Sequence, residues 1–316
     1  MKRSLNTRIL AWAVPLVMVV VAAHIIYDGT RKPIDESKSP AETGPLEAVF
    51  VSRASSRDLA QLRPALQQML DPATPPRMRI DLAMKCDRDL TGRELEALLG
   101  EVSSLPSAAG GLGWHPQFLH EICRQLHHHP GIRRRFAGVL AGVAGDSQRV
   151  RVERDYAIQH LRQVWHHSDD DTVLRAQVFH LFKALAGGSA EVSGPAILSL
   201  HFLGSAPQLP WQASHASVSN DEVEPIVTGI LRRDSSQADS GSIMAALRIA
   251  GDRKLTGSYE RIREIAADPS GTTVVRMAAI SIVASTGGDS RAFLESIPPA
   301  KSPVDEAIRL ALSQAR

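Results

Sequence analysis

The C-terminal stretch from Thr272 to Arg316 constrains the fold more than any other part of this chain. Within it Val304, Ala307, Ile308, Ala311, Leu312 and Ala315 fall at i, i+3, i+4, i+7, i+8 and i+11. That is one apolar stripe on a period of about 3.6 residues, with Asp305, Glu306, Arg309 and Gln314 on the other side. The helix predicted before it, Val274 to Val283, is apolar almost all round. Such a helix must be covered on more than one side. Stacked helical hairpins supply that cover, because each hairpin buries its faces against those before and after it.

The same reading extends upstream. Ser55 or Ser56 caps a helix expected to run to about Leu70, and Pro75-Pro76 separates it from a second helix through Met84. Thr91 and Glu94 form a capping box, with Leu90 and Leu95 as a hydrophobic staple. After a loop from Val102 to Gly113, helices are predicted at 116–128, 131–143, 149–166 and 171–186. Pro195 suits the first position of another helix, ending by Gly204. Helices resume near Asp221. Ile243 to Asp252 is expected to close on a Gly251-Asp252 turn like Gly288-Asp289, followed by an inward stripe of Leu255, Tyr259, Ile262, Ile265 and Ala266. No run of alternating apolar and polar residues stands out as a strand. Aromatic residues are only 4% of the chain, so small aliphatic side chains must fill the core, as suits close-packed helices. The predicted class is all-α.

Arg276-Met277-Ala278-Ala279-Ile280 and Arg154-Asp155-Tyr156-Ala157-Ile158 share the form Arg-x-x-Ala-Ile, and Asp305-Glu306-Ala307-Ile308 is a close relative. With the Gly-Asp turns, this resembles HEAT and HEAT-like repeats, most clearly over 240–316 and also over 149–186. The resemblance implies a right-handed α-solenoid of stacked antiparallel helix pairs. It also implies a scaffold or binding platform, and it carries no catalytic residues to transfer.

The first 27 residues stand apart. Lys2, Arg3 and Arg8 precede Ile9 to Tyr27, a run without acid or strong base. At 1.5 Å per residue this run spans roughly the 30 Å of a hydrocarbon core. Residues 1–27 are therefore expected to be an N-terminal membrane anchor. A cleaved signal peptide ending near Val21-Ala22-Ala23 is the alternative. Residues 28–45 are polar and read as a flexible tether. Residues 46–316 form the expected helical-repeat domain, on the non-cytoplasmic (periplasmic or extracellular) side of a single-pass protein. The segment 204–219 is its long internal loop, anchored by Trp211.

Candidate chemistry clusters in the middle. Nine of the twelve histidines lie between His115 and His180. His120, Cys123 and His127 share one helix face, a soft donor set for zinc or copper. The alternatives are a solvated helix end at His127–Pro130 and Cys123 as a core filler. Eight arginines run from Arg124 to Arg162. Arg133, Arg134, Arg135 and Arg154, with Trp211, are candidate contacts for an anionic or protein partner; the alternative for the arginines is solvated helix faces. In an oxidising compartment Cys86 and Cys123 could pair. A formal charge of +2 and the lack of interleaved aromatics argue against a nucleic-acid binder. No nucleophile elbow, phosphate loop or zinc-protease motif is present. The sequence thus predicts a non-catalytic, membrane-anchored scaffold for a protein partner, with no cofactor. The rival is a metal- or pH-responsive sensor using residues 115–180.

Overall fold

A computed structural model describes residues 46–104, 113–203, 218–233, 240–286, 289–298 and 303–314. These residues are all-helical, and no strand occurs among them. The expected anchor, the tether, most of the 204–219 loop with Trp211, and Gly288 lie outside them. Among the described residues, no helix is long and apolar enough to cross a membrane.

The helices are α1 (Ser56–Leu59), α2 (Pro64–Leu70), α3 (Pro76–Met84), α4 (Gly92–Ser103) and α5 (His115–Leu126). Next come α6 (Arg133–Gly145), α7 (Arg151–His166), α8 (Thr172–Gly187), α9 (Ala190–Phe202) and α10 (Asn220–Leu231). The chain continues with α11 (Ser240–Arg253), α12 (Tyr259–Ala267), α13 (Thr273–Thr286), α14 (Ser290–Ser296) and α15 (Val304–Gln314).

From α2 onward, each even-numbered helix packs on the odd-numbered helix that follows it, giving hairpins from α2/α3 to α14/α15. The odd helices α3 to α15 also pack each on the next of their own series, as do the even helices from α4 to α12. The apolar interior runs continuously through these contacts. It is built mainly from Leu, Ile, Val and Ala, with Phe118, Phe136 and Phe182 fully buried. The all-round apolar helix α13 is covered by α11, α12, α14 and α15.

One joint recurs three times. Asp71, Asp146 and Asp268 follow α2, α6 and α12, each in an extended conformation. Each Oδ1 accepts a hydrogen bond, at 2.9 Å, from the backbone N–H two residues on. This Asx turn ends one helix and starts the next. Eight residues after each Asp stands a buried arginine: Arg79, Arg154 and Arg276. Its Nε donates to the carbonyl of Met69 (2.8 Å), Ala144 (3.0 Å) or Ala266 (3.5 Å), near the end of the preceding helix. The charged donors satisfy carbonyls that a helix terminus leaves without partners. The arginine of the Arg-x-x-Ala-Ile pattern is therefore a clasp within its hairpin.

Several expected boundaries change. The helix predicted from Ser55 to Leu70 breaks into α1 and α2, because Pro64 lacks the N–H needed to continue α1 and instead opens α2. Pro195 lies inside α9, which begins five residues earlier. Gly251-Asp252 is helical, and a Cβ on Gly251 would meet the Ile282 side chain at 3.3 Å. That glycine serves packing; the chain reverses at Lys254, whose φ is +53°. The Thr91–Glu94 capping box forms as expected. The start of the repeat domain is an extended segment, residues 46–54, ahead of α1.

Candidate functional site

Consecutive odd helices usually meet through apolar side chains, but α5 and α7 meet through two polar groups as well. On α7, Glu153, Ala157, His160 and Val164 fall at i, i+4, i+7 and i+11, and all four are buried. On α5 the buried face includes His115, Phe118, Leu119, Ile122, Cys123 and Leu126. The first group joins His115 Nδ1 to Glu153 Oε1 at 2.6 Å, with the carboxylate fully enclosed. Arg149 Nη1 stands 3.7 Å from Glu153 Oε2, an ion pair without a hydrogen bond. Arg149 also pairs with Asp146 and donates to the Ser103 carbonyl. His115 Nε2 is buried with no hydrogen-bond partner among the described residues.

The second group is a chain of three imidazoles. His127 Nε2 lies 3.0 Å from His160 Nδ1, and His160 Nε2 lies 3.1 Å from His120 Nδ1. His160 is buried with both nitrogens engaged; His120 and His127 are half-buried. The Tyr156 ring flanks His120, while Phe136 and His167 flank His127. Burial, reinforced by the neighbouring imidazoles, holds His160 well below the usual histidine range. His127 is pushed down to about 3, first by burial and then by His167, His128, His120 and Arg133. His127 and His160 are thus neutral near pH 7. Each N–H···N contact then needs one donor and one acceptor, so the protons of the chain are ordered in one direction.

The residues predicted as a metal set do not converge. His120 and His127 are joined through His160, while Cys123 sits in the apolar core with its thiol pushed up by burial. Both of its ring nitrogens committed, His160 cannot bring three nitrogens to one point. Among the described residues, no group of three His, Cys, Asp or Glu is arranged to hold a metal. A buried thiol of raised pKa is also a poor nucleophile. Cys86 and Cys123 are both free.

The candidate arginines are each paired with a carboxylate. Arg133 pairs with Asp170 at 3.1 Å, Arg134 grips Asp171 through two bonds of 2.6 and 2.7 Å, and Arg135 pairs with Glu96. Arg154 is buried, bound to the Ala144 carbonyl and to Glu191. These four join neighbouring hairpins. Sequence reasoning passed over Glu153, His160 and Arg149. A carboxylate and an imidazole at i and i+7 within an otherwise apolar stripe would have pointed to the first two.

The arrangement contains hydrogen-bonded histidines and buried ion pairs, with no activated nucleophile among the groups described. An open depression along α10, lined by Asp221, Glu224, Thr228 and Arg232, draws on a single helix. No protein-family model, curated protein or solved structure matches the chain.

Proposed function

We propose that the chain is a HEAT-like right-handed α-solenoid, held at a membrane by residues 9–27 with its helices on the non-cytoplasmic side. It acts as a non-catalytic scaffold that binds a protein partner along an extended helical surface. The observation that carries this reading is the regular packing of hairpin on hairpin, with polar links repeating in step. Arg133–Asp170, Arg134–Asp171 and Arg154–Glu191 are each separated by 37 residues. The three Asp joints belong to the first, third and sixth hairpins, which gives about 37 to 41 residues per hairpin, close to the spacing of HEAT arrays. An array of this kind exposes a long continuous face that no compact domain of equal length offers.

Crosslinking in intact membranes, followed by mass spectrometry, tests the scaffold role. The expected result is one recurrent partner, attached through positions on several successive helices. Links that are only internal, or scattered over unrelated proteins, would remove the reading. A second reading, a pH-responsive module in the histidine-rich segment, is favoured by one specific feature, the His120–His160–His127 chain. The arrangement of the donors gives no support to its metal-responsive form.

A further inference from the structure

Arg133, Arg134, Arg135 and Arg154 each meet a carboxylate; Arg162, the last of the arginine run, does not. It stands half-buried on α7 and makes no hydrogen bond or ion pair among the described residues. Its contact is the half-buried Phe202 ring on α9, with Cζ 5.6 Å from the ring centroid. Burial pushes Arg162 below the usual arginine range, and no neighbouring charge offsets that. Arg248, exposed on α11, lies over the same ring, also at 5.6 Å. The two guanidinium groups are therefore no more than twice that distance apart. A cation held by a ring keeps its N–H donors for another partner.

The charge around the ring is unbalanced. His201 is kept neutral near pH 7, first by burial and then by Arg253. Its Nδ1 accepts from Arg253 Nε at 3.0 Å, so its proton sits on Nε2, which faces Asp252 at 3.5 Å. Asp252 also serves Arg248, at 3.6 Å. Arg253 spends its other bonds on the Val218 carbonyl and Asn220 Oδ1. One carboxylate thus stands against three guanidinium groups. The packing of α9 between α7 and α11, three successive odd helices, brings these side chains together.

We propose that this cluster is a docking site for an acidic segment of the partner protein, whose carboxylates pair with Arg162 and Arg248 while its chain lies against Phe202. The inference rests on the scaffold reading and supplies the chemistry of the contact. A half-buried cation without a counter-charge is incompletely compensated, and a carboxylate matches the planar guanidinium fork with two parallel bonds. A lipid surface is met by about four to eight Lys or Arg side by side. Three, with an acid among them, suit a local carboxylate contact instead.

The test titrates the full-length chain, in non-ionic detergent at low salt, into fluorescein-labelled oligoglutamate and follows anisotropy, with oligolysine as the control. Saturable binding of oligoglutamate alone is expected. Arg162→Gln and Arg248→Gln should each weaken it at least several-fold, whereas Arg309→Gln, at an exposed position on α15, should leave it unchanged. Because Arg162 gives up no hydrogen bond or ion pair, the helical circular dichroism and melting midpoint of its variant should match the parent. Should that variant misfold, the exposed Arg248 carries the test alone. Absence of oligoglutamate binding, or equal binding by both variants, overturns the proposal. So does binding through these arginines to phosphatidylserine-containing vesicles but not to oligoglutamate. Crosslinking of the Arg162→Gln, Arg248→Gln double variant separates site from scaffold. A recurrent partner retained there removes this site and leaves the scaffold reading; oligoglutamate binding with no recurrent partner in the parent does the reverse.

Discussion

Replacing Glu153 by alanine is expected to destabilise the protein by about 3–5 kcal/mol, the range found when one member of a buried charged set is removed. His115 Nδ1 loses its 2.6 Å acceptor, and Arg149 keeps only Asp146 and the Ser103 carbonyl. Both cationic or polar partners stay enclosed, with 2% and 8% exposure, so water cannot replace what the carboxylate supplied. Glu295→Ala provides the contrast. That carboxylate also binds an arginine, Arg291, at 3.1 Å, but both side chains are more than half exposed. Its loss should cost at most about 1 kcal/mol. Urea denaturation of the two variants decides the matter; equal, small losses would mean that the α5–α7 seam is hydrated and that Glu153 is not an enclosed charge.

The second large effect is acid sensitivity above the range where carboxylates titrate. In the unfolded chain a histidine takes up its proton near pH 6.5, whereas folded His127 does so only at about 3 and His160 far below its usual range. Between these limits the unfolded state holds more protons, so stability is complete above pH 6.5 and falls as the pH is lowered. For His127 this amounts to about 1.4 kcal/mol per pH unit, or about 2 to 3 kcal/mol between pH 6.5 and 4.5, and His160 acts in the same direction. Glu94 acts in a different window. Against desolvation that raises it, hydrogen bonds from Arg63 and Thr91 bring its carboxyl to about 2, so its contribution is lost only below pH 4.5. Denaturation midpoints at pH 7.5 and 4.5 should therefore differ clearly, and His160→Leu should flatten the difference by its share. An identical pH slope in the variant would show that the histidine chain is not the source.

How much of this was legible in the sequence differs between the fold and the site. Helical class and most helix positions follow from apolar periodicity, which local spacing records directly. The Thr91–Glu94 cap is legible for the same reason, since its partners lie three residues apart. The turn at Gly251-Asp252 was misread because a glycine kept small for the approach of Ile282 looks identical to one kept for a turn. The site depends on pairs such as His115–Glu153 and His120–His160, separated by 38 and 40 residues. Those pairings require knowing that each hairpin lands on the next, which periodicity within one helix does not encode. For the same reason the acids that pair with three of the arginines, Asp170, Asp171 and Glu191, were not legible, being one hairpin away. The Asp–Arg joint was within reach: an eight-residue spacing at 71, 146 and 268 is visible once it is looked for.

In a stack of this kind stability is expected to pass from hairpin to neighbouring hairpin and not through one shared core. Hydrogen exchange on the full chain, with and without Ile280→Ala, tests it most directly. Ile280 is fully buried in α13, and truncating such a side chain costs about 2–5 kcal/mol. The expected result is lost protection in α11 to α15, where α13 makes its contacts, with α2 to α7 unchanged. A uniform loss of protection across all helices would contradict it.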